Sequence, residues 1–190
     1  MDKTIVIVDD EPITRMDICE LLTEAGYNVV GEASDGFEAI DVCKRHKPQL
    51  VIMDIKMPVL DGIKASKAIM KDRLAGGTIL LSAFNDKEYV EKAKEIGVLG
   101  YLVKPLDEKS FIPMIEVCLA KANEVNMLKA QCETVARKLE ERKLIDIAKG
   151  MLMEERAISE NEAYRFLRKL SMDRRCSMGE IARTIMMMYE

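Results

Sequence analysis

Three carboxylates end two apolar runs near the start of this chain. Asp9 and Asp10 follow "IVIV", and Asp54 follows "LVIM". If these runs are neighbouring parallel strands, the acids meet at the strand ends. Unit charges about 4 Å apart interact by about 4 kcal/mol at an effective dielectric of about 20. Like charges so placed need a raised pKa or a cation. An all-oxygen set suits a hard divalent ion such as Mg2+, which keeps several of its waters. Lys104 stands in "GYLVKP" and brings a fixed positive charge, and Ser82 in "TILLSAF" brings a hydroxyl. The set suits phosphoryl transfer to a carboxylate. Asp54 would be the nucleophile, Mg2+ and Lys104 would neutralise phosphoryl oxygens, and Ser82 would donate a hydrogen bond to one of them. Either acid pair alone reads equally well as helix caps. The ordered set at successive run ends is what specifies the chemistry.

To converge, these residues need a sheet. The runs "TIVIVDD", "NVVGEA", "QLVIMD", "TILLSAF" and "GYLVKP" alternate with helical patterns. One helix follows Pro12 and ends at Gly26, and one spans 36–46 behind an Asp35–Glu38 capping pair. Another starts near Asp61, and a fourth covers roughly 86–97. The runs are apolar throughout, as for strands buried on both faces. The expected fold class is α/β, a doubly wound five-stranded parallel sheet. Function in such sheets gathers at the carboxyl ends of the strands.

Between Pro113 and Gly150 there is neither proline nor glycine, so one long helix is expected, with Ser110 as its cap and Pro113 in its first turn. Within it Val125, Leu128, Cys132, Val135 and Leu139 recur at spacings of 3, 4, 3 and 4. That is an a/d seam, read as a short coiled coil joining two chains. The alternative is one helix packing on its own domain. Ser159 with Glu162, and Ser177 with Glu180, match the capping-box pattern. They open two short helices, the first containing Ala163, Phe166, Leu167 and Leu170 and the second Ile181, Ile185 and Met188, and complete a small all-α three-helix domain with the end of the long one. The expected boundaries are 1–120, 121–143 for the coiled coil, and 144–190. Ile145, Ala148 and Leu152 should face the last core. Gly150 costs its helix about 1 kcal/mol relative to alanine. It is expected to admit a close approach by a partner, the alternative being close packing of a neighbouring helix.

Composition narrows the class. No apolar run approaches the roughly 18–20 residues of a membrane span, and no signal-peptide pattern opens the chain, so a cytoplasmic protein without membrane contact is expected. The five cysteines are scattered with no Cys-x-x-Cys pair, and the lone histidine, His46, has no ligand neighbours, so both read as ordinary reduced or surface groups. Residues 1–133 carry 17 Lys and Arg against 23 Asp and Glu, whereas residues 134–190 carry 12 against 10. An acidic front and a mildly basic back suggest modules with different partners.

With "DD" at 9–10, "MDIKMPVLDG" at 53–62, "SA" at 82–83 and "YLVKP" at 101–105, the front resembles the flavodoxin-like receiver domain of two-component response regulators. The resemblance implies Asp54 as phospho-acceptor from a sensor histidine kinase. It implies Mg2+ held by Asp10, Asp54 and the backbone carbonyl of Lys56, with Asp9 assisting through water. It also implies a phosphate-sensing set of Ser82, Tyr101 and Lys104, and a cis bond before Pro105. The run "RKLIDIAKGMLMEERAISENEAYRFLRKLSMDRRCSMGEIA", residues 142–182, resembles the ANTAR output module. That implies capture of paired nascent-mRNA hairpins so that transcription passes a terminator. Ala148, Lys149, Gly150, Arg168, Lys169, Arg174 and Arg175 are the expected RNA contacts. Among such regulators the chain is most similar to the ethanolamine-utilisation antiterminators. The expected protein is a regulator, not an enzyme, forming a homodimer when phosphorylated. A DNA-binding response regulator is the alternative, and an adaptor that binds only protein is the third reading.

Overall fold

A computed structural model describes residues 3–83 and 87–189. Five strands, β1 (Thr4–Val8), β2 (Asn28–Ala33), β3 (Leu50–Asp54), β4 (Thr78–Ser82) and β5 (Gly100–Val103), alternate with helices α1 (Pro12–Glu24), α2 (Gly36–His46), α3 (Gly62–Lys71) and α4 (Lys87–Ile96). All pairings are parallel, in the order β2-β1-β3-β4-β5. The unbroken apolar runs are explained by burial on both faces. Ile5, Ile7, Leu50, Ile52, Ile79 and Leu81 pack with Ile18 and Leu22 of α1 and Phe111 and Ile115 further along the chain. Val6, Val8, Val51, Met53 and Leu80 pack with Ala39, Val42, Ala65, Ile69 and Ala93 of α2, α3 and α4. Strand order reverses direction at β1, between β2 on one side and β3 on the other. The crevice at such a switch point lies beyond the carboxyl ends of β1 and β3, where Asp9 and Asp54 stand. Residues Phe84 and Asp86, in the fourth run and at the expected start of the fourth helix, lie outside the described residues.

The helix entrances follow the capping rules with one change. The Asp35 carboxylate accepts from the Phe37 and Glu38 amides, and that of Asp61 from the Lys64 amide. Glu38, however, turns to the amide and hydroxyl of Ser34 rather than to Asp35.

Helix α5 (Glu108–Arg156) is one element of 49 residues. It starts earlier than expected. The Phe111 amide already donates to the Asp107 carbonyl, and the Ser110 hydroxyl donates to that same carbonyl, so Ser110 caps nothing. Pro113 therefore sits inside the helix. Its missing N–H leaves the Lys109 carbonyl without its usual partner. The seam residues Leu128, Val135 and Leu139 are more than half exposed, and Cys132 is exposed as well. Val125, at the start of the seam, is half-buried.

The chain divides into two compact units, Met1–Met127 and Leu128–Glu190. In the second, the end of α5 packs with α6 (Glu160–Arg174) and α7 (Met178–Tyr189) around Ala148, Leu152, Ala163, Leu167, Ile181, Ala182 and Ile185. Both capping boxes form, at Ser159–Glu162 and Ser177–Glu180. Met188 is 74% exposed. The inward stripe of α7 runs instead from Ile185 to Tyr189, one turn on, where the Tyr189 hydroxyl accepts a hydrogen bond from Arg156.

Candidate functional site

At the carboxyl end of the sheet the chemistry-bearing residues of the first unit converge. Asp9 is fully buried and Asp54 is 5% exposed. The Lys104 ammonium lies 2.6 Å from Asp9 Oδ2 and 2.6 Å from Asp54 Oδ1. The other oxygens are also held, Asp9 Oδ1 by the Glu11 amide at 3.0 Å and Asp54 Oδ2 by the Lys56 amide at 2.7 Å. Lys104 is placed by its own amide, which donates to the Ser82 carbonyl at 2.8 Å, and the peptide bond that follows it, to Pro105, is cis. Burial pushes the Asp54 carboxyl above the usual carboxylate range, an effect that Lys104 opposes and Asp9 reinforces. For Lys104 burial pulls downward, but the hydrogen bonds and charges of Asp54 and Asp9 prevail and hold it above the ordinary lysine value.

The three acids do not crowd together as expected. Asp10 is exposed, and among the described residues no three acidic side chains lie close enough to share an ion. The repulsion anticipated between Asp9 and Asp54 is met by Lys104, and Asp9 has both oxygens engaged. Asp10 instead lines a cleft of about 700 Å³ with Lys56, Met57, Pro58, Asp61 and Tyr89. The donor chemistry still fits Mg2+. That ion typically uses one or two carboxylates plus phosphate oxygens and water, and Asp10, Asp54 and the Lys56 carbonyl offer hard oxygens at the two strand ends. Ser82 is buried at the end of β4, one residue past the Asp54–Leu81 pair. Tyr101 is half-buried on β5 against the cluster that includes Val8 and Met53.

The sequence reading missed Arg15. Its Nη1 donates to the Asp9 carbonyl at 2.7 Å and its Nε to Glu32 at 3.3 Å, bracing the turn that carries both acids. Its position one turn into the helix after "DD" was the available signal. Gly62 was read only as part of a motif. A Cβ there would overlap the Asp54 carbonyl oxygen, so only glycine lets α3 approach the acceptor.

In the second unit the expected RNA contacts separate. Ala148 is fully buried in the core and cannot touch a partner. Lys149 does not point freely outward. Its ammonium lies 2.7 Å from both Asp146 and Glu160, and these carboxylates hold it above the ordinary lysine value. The Asp146–Lys149 spacing was legible as a helical pair, but Glu160 is eleven residues away and was not. Gly150 is exposed, and a Cβ there would meet nothing within 4 Å, which removes the packing alternative. Arg168, Lys169, Arg174 and Arg175 are all exposed.

Comparison with known proteins bears on both units. The family model described as "Response regulator receiver domain" matches residues 5–116, and that described as "ANTAR domain" matches residues 133–186. The transcriptional regulatory protein PdtaR of Mycobacterium tuberculosis is 40% identical over 97% of this chain and 89% of its own length. The chemotaxis protein CheY of Thermotoga maritima is 42% identical over 55% of this chain and 88% of its own. Among solved structures, the CheX–CheY–BeF3–Mg+2 complex of Borrelia burgdorferi matches with a TM-score of 0.56 and 32% identity, covering 59% of this chain and 85% of that one.

Proposed function

The chain belongs to the response regulators that join a receiver domain to an ANTAR domain, and from that premise we propose a phosphorylation-controlled RNA-binding antiterminator acting in the cytoplasm. The observation that carries the switch is the Asp9–Lys104–Asp54 arrangement. A buried carboxylate at a strand end is gripped by one cation that can be redirected.

Asp54 is the phospho-acceptor. Its carboxylate attacks the phosphorus of a phosphohistidine on a sensor kinase, the P–N bond breaks, and the electron pair returns to the imidazole. Burial leaves this carboxylate poorly solvated and therefore more nucleophilic. Asp10, Asp54 and the Lys56 carbonyl would hold Mg2+, which neutralises charge on the phosphoryl oxygens. Lys104 follows the new negative charge and loosens its hold on Asp9, while the buried Ser82 hydroxyl donates to a phosphoryl oxygen and Tyr101 moves with it. The acyl phosphate adds roughly −1.5 to −2 charges and favours a state in which two chains join along Val125, Leu128, Cys132, Val135 and Leu139. The exposure of Leu128, Cys132, Val135 and Leu139 in that stripe supports a partner chain. Two output units then engage two mRNA hairpins, and linkage raises affinity without new contacts. The proposal is made for hairpin antiterminators as a class, with the resemblance to the ethanolamine-utilisation antiterminators as its finer form.

Sedimentation and RNA gel shifts of wild type and Asp54→Asn, each with a small phosphodonor and Mg2+, test the switch. Wild type should dimerise and bind hairpins while the variant does neither. Equal behaviour of the two refutes the proposal. Competition of hairpin RNA against duplex DNA at matched salt separates it from a DNA-binding regulator, because phosphate contacts make both affinities salt-dependent.

A further inference from the structure

Lys149 is neutralised where it stands and Ala148 is buried, so the second unit must meet RNA largely through other residues. Helix α6 turns Ala163 and Leu167 inward. With 3.6 residues per turn, the opposite arc carries Tyr164, Arg165, Arg168, Lys169 and Met172. Tyr164 is 44% exposed and Met172 is 69% exposed, large apolar surfaces set among cations. The acids of the first turn have partners of their own, although Glu162 also feels the charge of Arg165 on this arc. Glu162 folds back onto the amide and hydroxyl of Ser159, and Glu160 is engaged by Lys149. Among the described residues, Arg168 and Lys169 form no ion pair.

We propose that this outward face of α6 reads the RNA, with Tyr164 stacking on an unpaired loop base and Arg168 and Lys169 holding the flanking phosphates. The inference rests on the RNA-binding reading above and specifies its surface and the form of RNA. Tyr164 and Arg168 are four residues apart and so are neighbours on the helix surface, which sets an aromatic face beside a cation. Inside a paired stem both faces of each base are covered by its neighbours, whereas unpaired loop bases offer a free face to an aromatic ring, so the target is a hairpin loop. The positive arc complements RNA and does not suit a second copy of itself.

The test uses the full chain, treated with a small phosphodonor and Mg2+, and a pool of RNA hairpins with a constant stem and a randomised loop. Tyr164→Ala should weaken binding by about 5- to 100-fold, and Tyr164→Phe should retain it. Arg168→Met should weaken all loops alike and lower the salt slope by about one. Ultraviolet crosslinks should map to Tyr164. Because both side chains are exposed, the melting temperature should hold in every variant. Unchanged binding by Tyr164→Ala and Arg168→Met overturns this surface while leaving the antiterminator reading intact. So does a loss of dimerisation in place of RNA affinity. Failure of the wild-type protein to bind any hairpin overturns both.

Discussion

Removing the Lys104 charge should destabilise the receiver, and removing the Asp54 charge as well should restore much of the loss. Asp9 Oδ2 and Asp54 Oδ1 each lie 2.6 Å from the same ammonium, so they are no farther apart than twice that distance. Two unit charges about 5 Å apart at an effective dielectric of about 20 repel by about 3 kcal/mol. Lys104→Met exposes this repulsion and strips both carboxylates of a strong donor, for an expected loss of about 3–5 kcal/mol at pH 7. Asp54→Asn in that background should return about 3 kcal/mol. Alone, Asp54→Asn should be neutral or stabilising, since burial raises the Asp54 pKa and its ionised form works against folding. The sign follows from proton binding. With a raised folded pKa, the native state holds more protons between the unfolded and folded values, so stability falls as pH rises through that window. Asp54→Asn should abolish that fall. Urea unfolding of the four proteins at pH 5 and pH 7 completes the cycle. Equal stability of Lys104→Met and the double variant at pH 7 would refute the electrostatic account of the site.

Further outcomes follow from single positions. Gly150→Ala should raise stability by about 0.5–1 kcal/mol in thermal unfolding, because its methyl enters open space; weaker hairpin binding at that higher melting temperature would identify the gap as a place of RNA approach. Gly62→Ala should cost more than about 2 kcal/mol and slow phosphorylation of Asp54, because its methyl strikes backbone rather than a movable side chain. Mild oxidation should link two copies through Cys132 only after treatment with phosphodonor, as judged on non-reducing gels. Equal crosslinking without phosphodonor would uncouple the seam from the switch.

The alternating apolar runs were sufficient to indicate a parallel sheet, because burial on both faces removes the need for polar alternation and leaves a pattern visible in one dimension. Strand-end acids, the lysine of "YLVKP" and the Ser159 and Ser177 boxes were legible for a similar reason, since local spacing controls a cap or a strand end. What the three acids do to one another was not legible. Only the packed sheet sets Lys104, some ninety residues from Asp9, between two carboxylates and leaves Asp10 exposed. The same holds in the second unit. Sequence put Ala148 toward the core, where it lies, and yet pointed to "AKG" as a contact with RNA; tertiary packing delivered Glu160 to Lys149 and left Gly150 facing open space. Helical periodicity distinguishes inward from outward positions along one element. Which charge from a distant element arrives to neutralise an outward one is decided only when the elements pack.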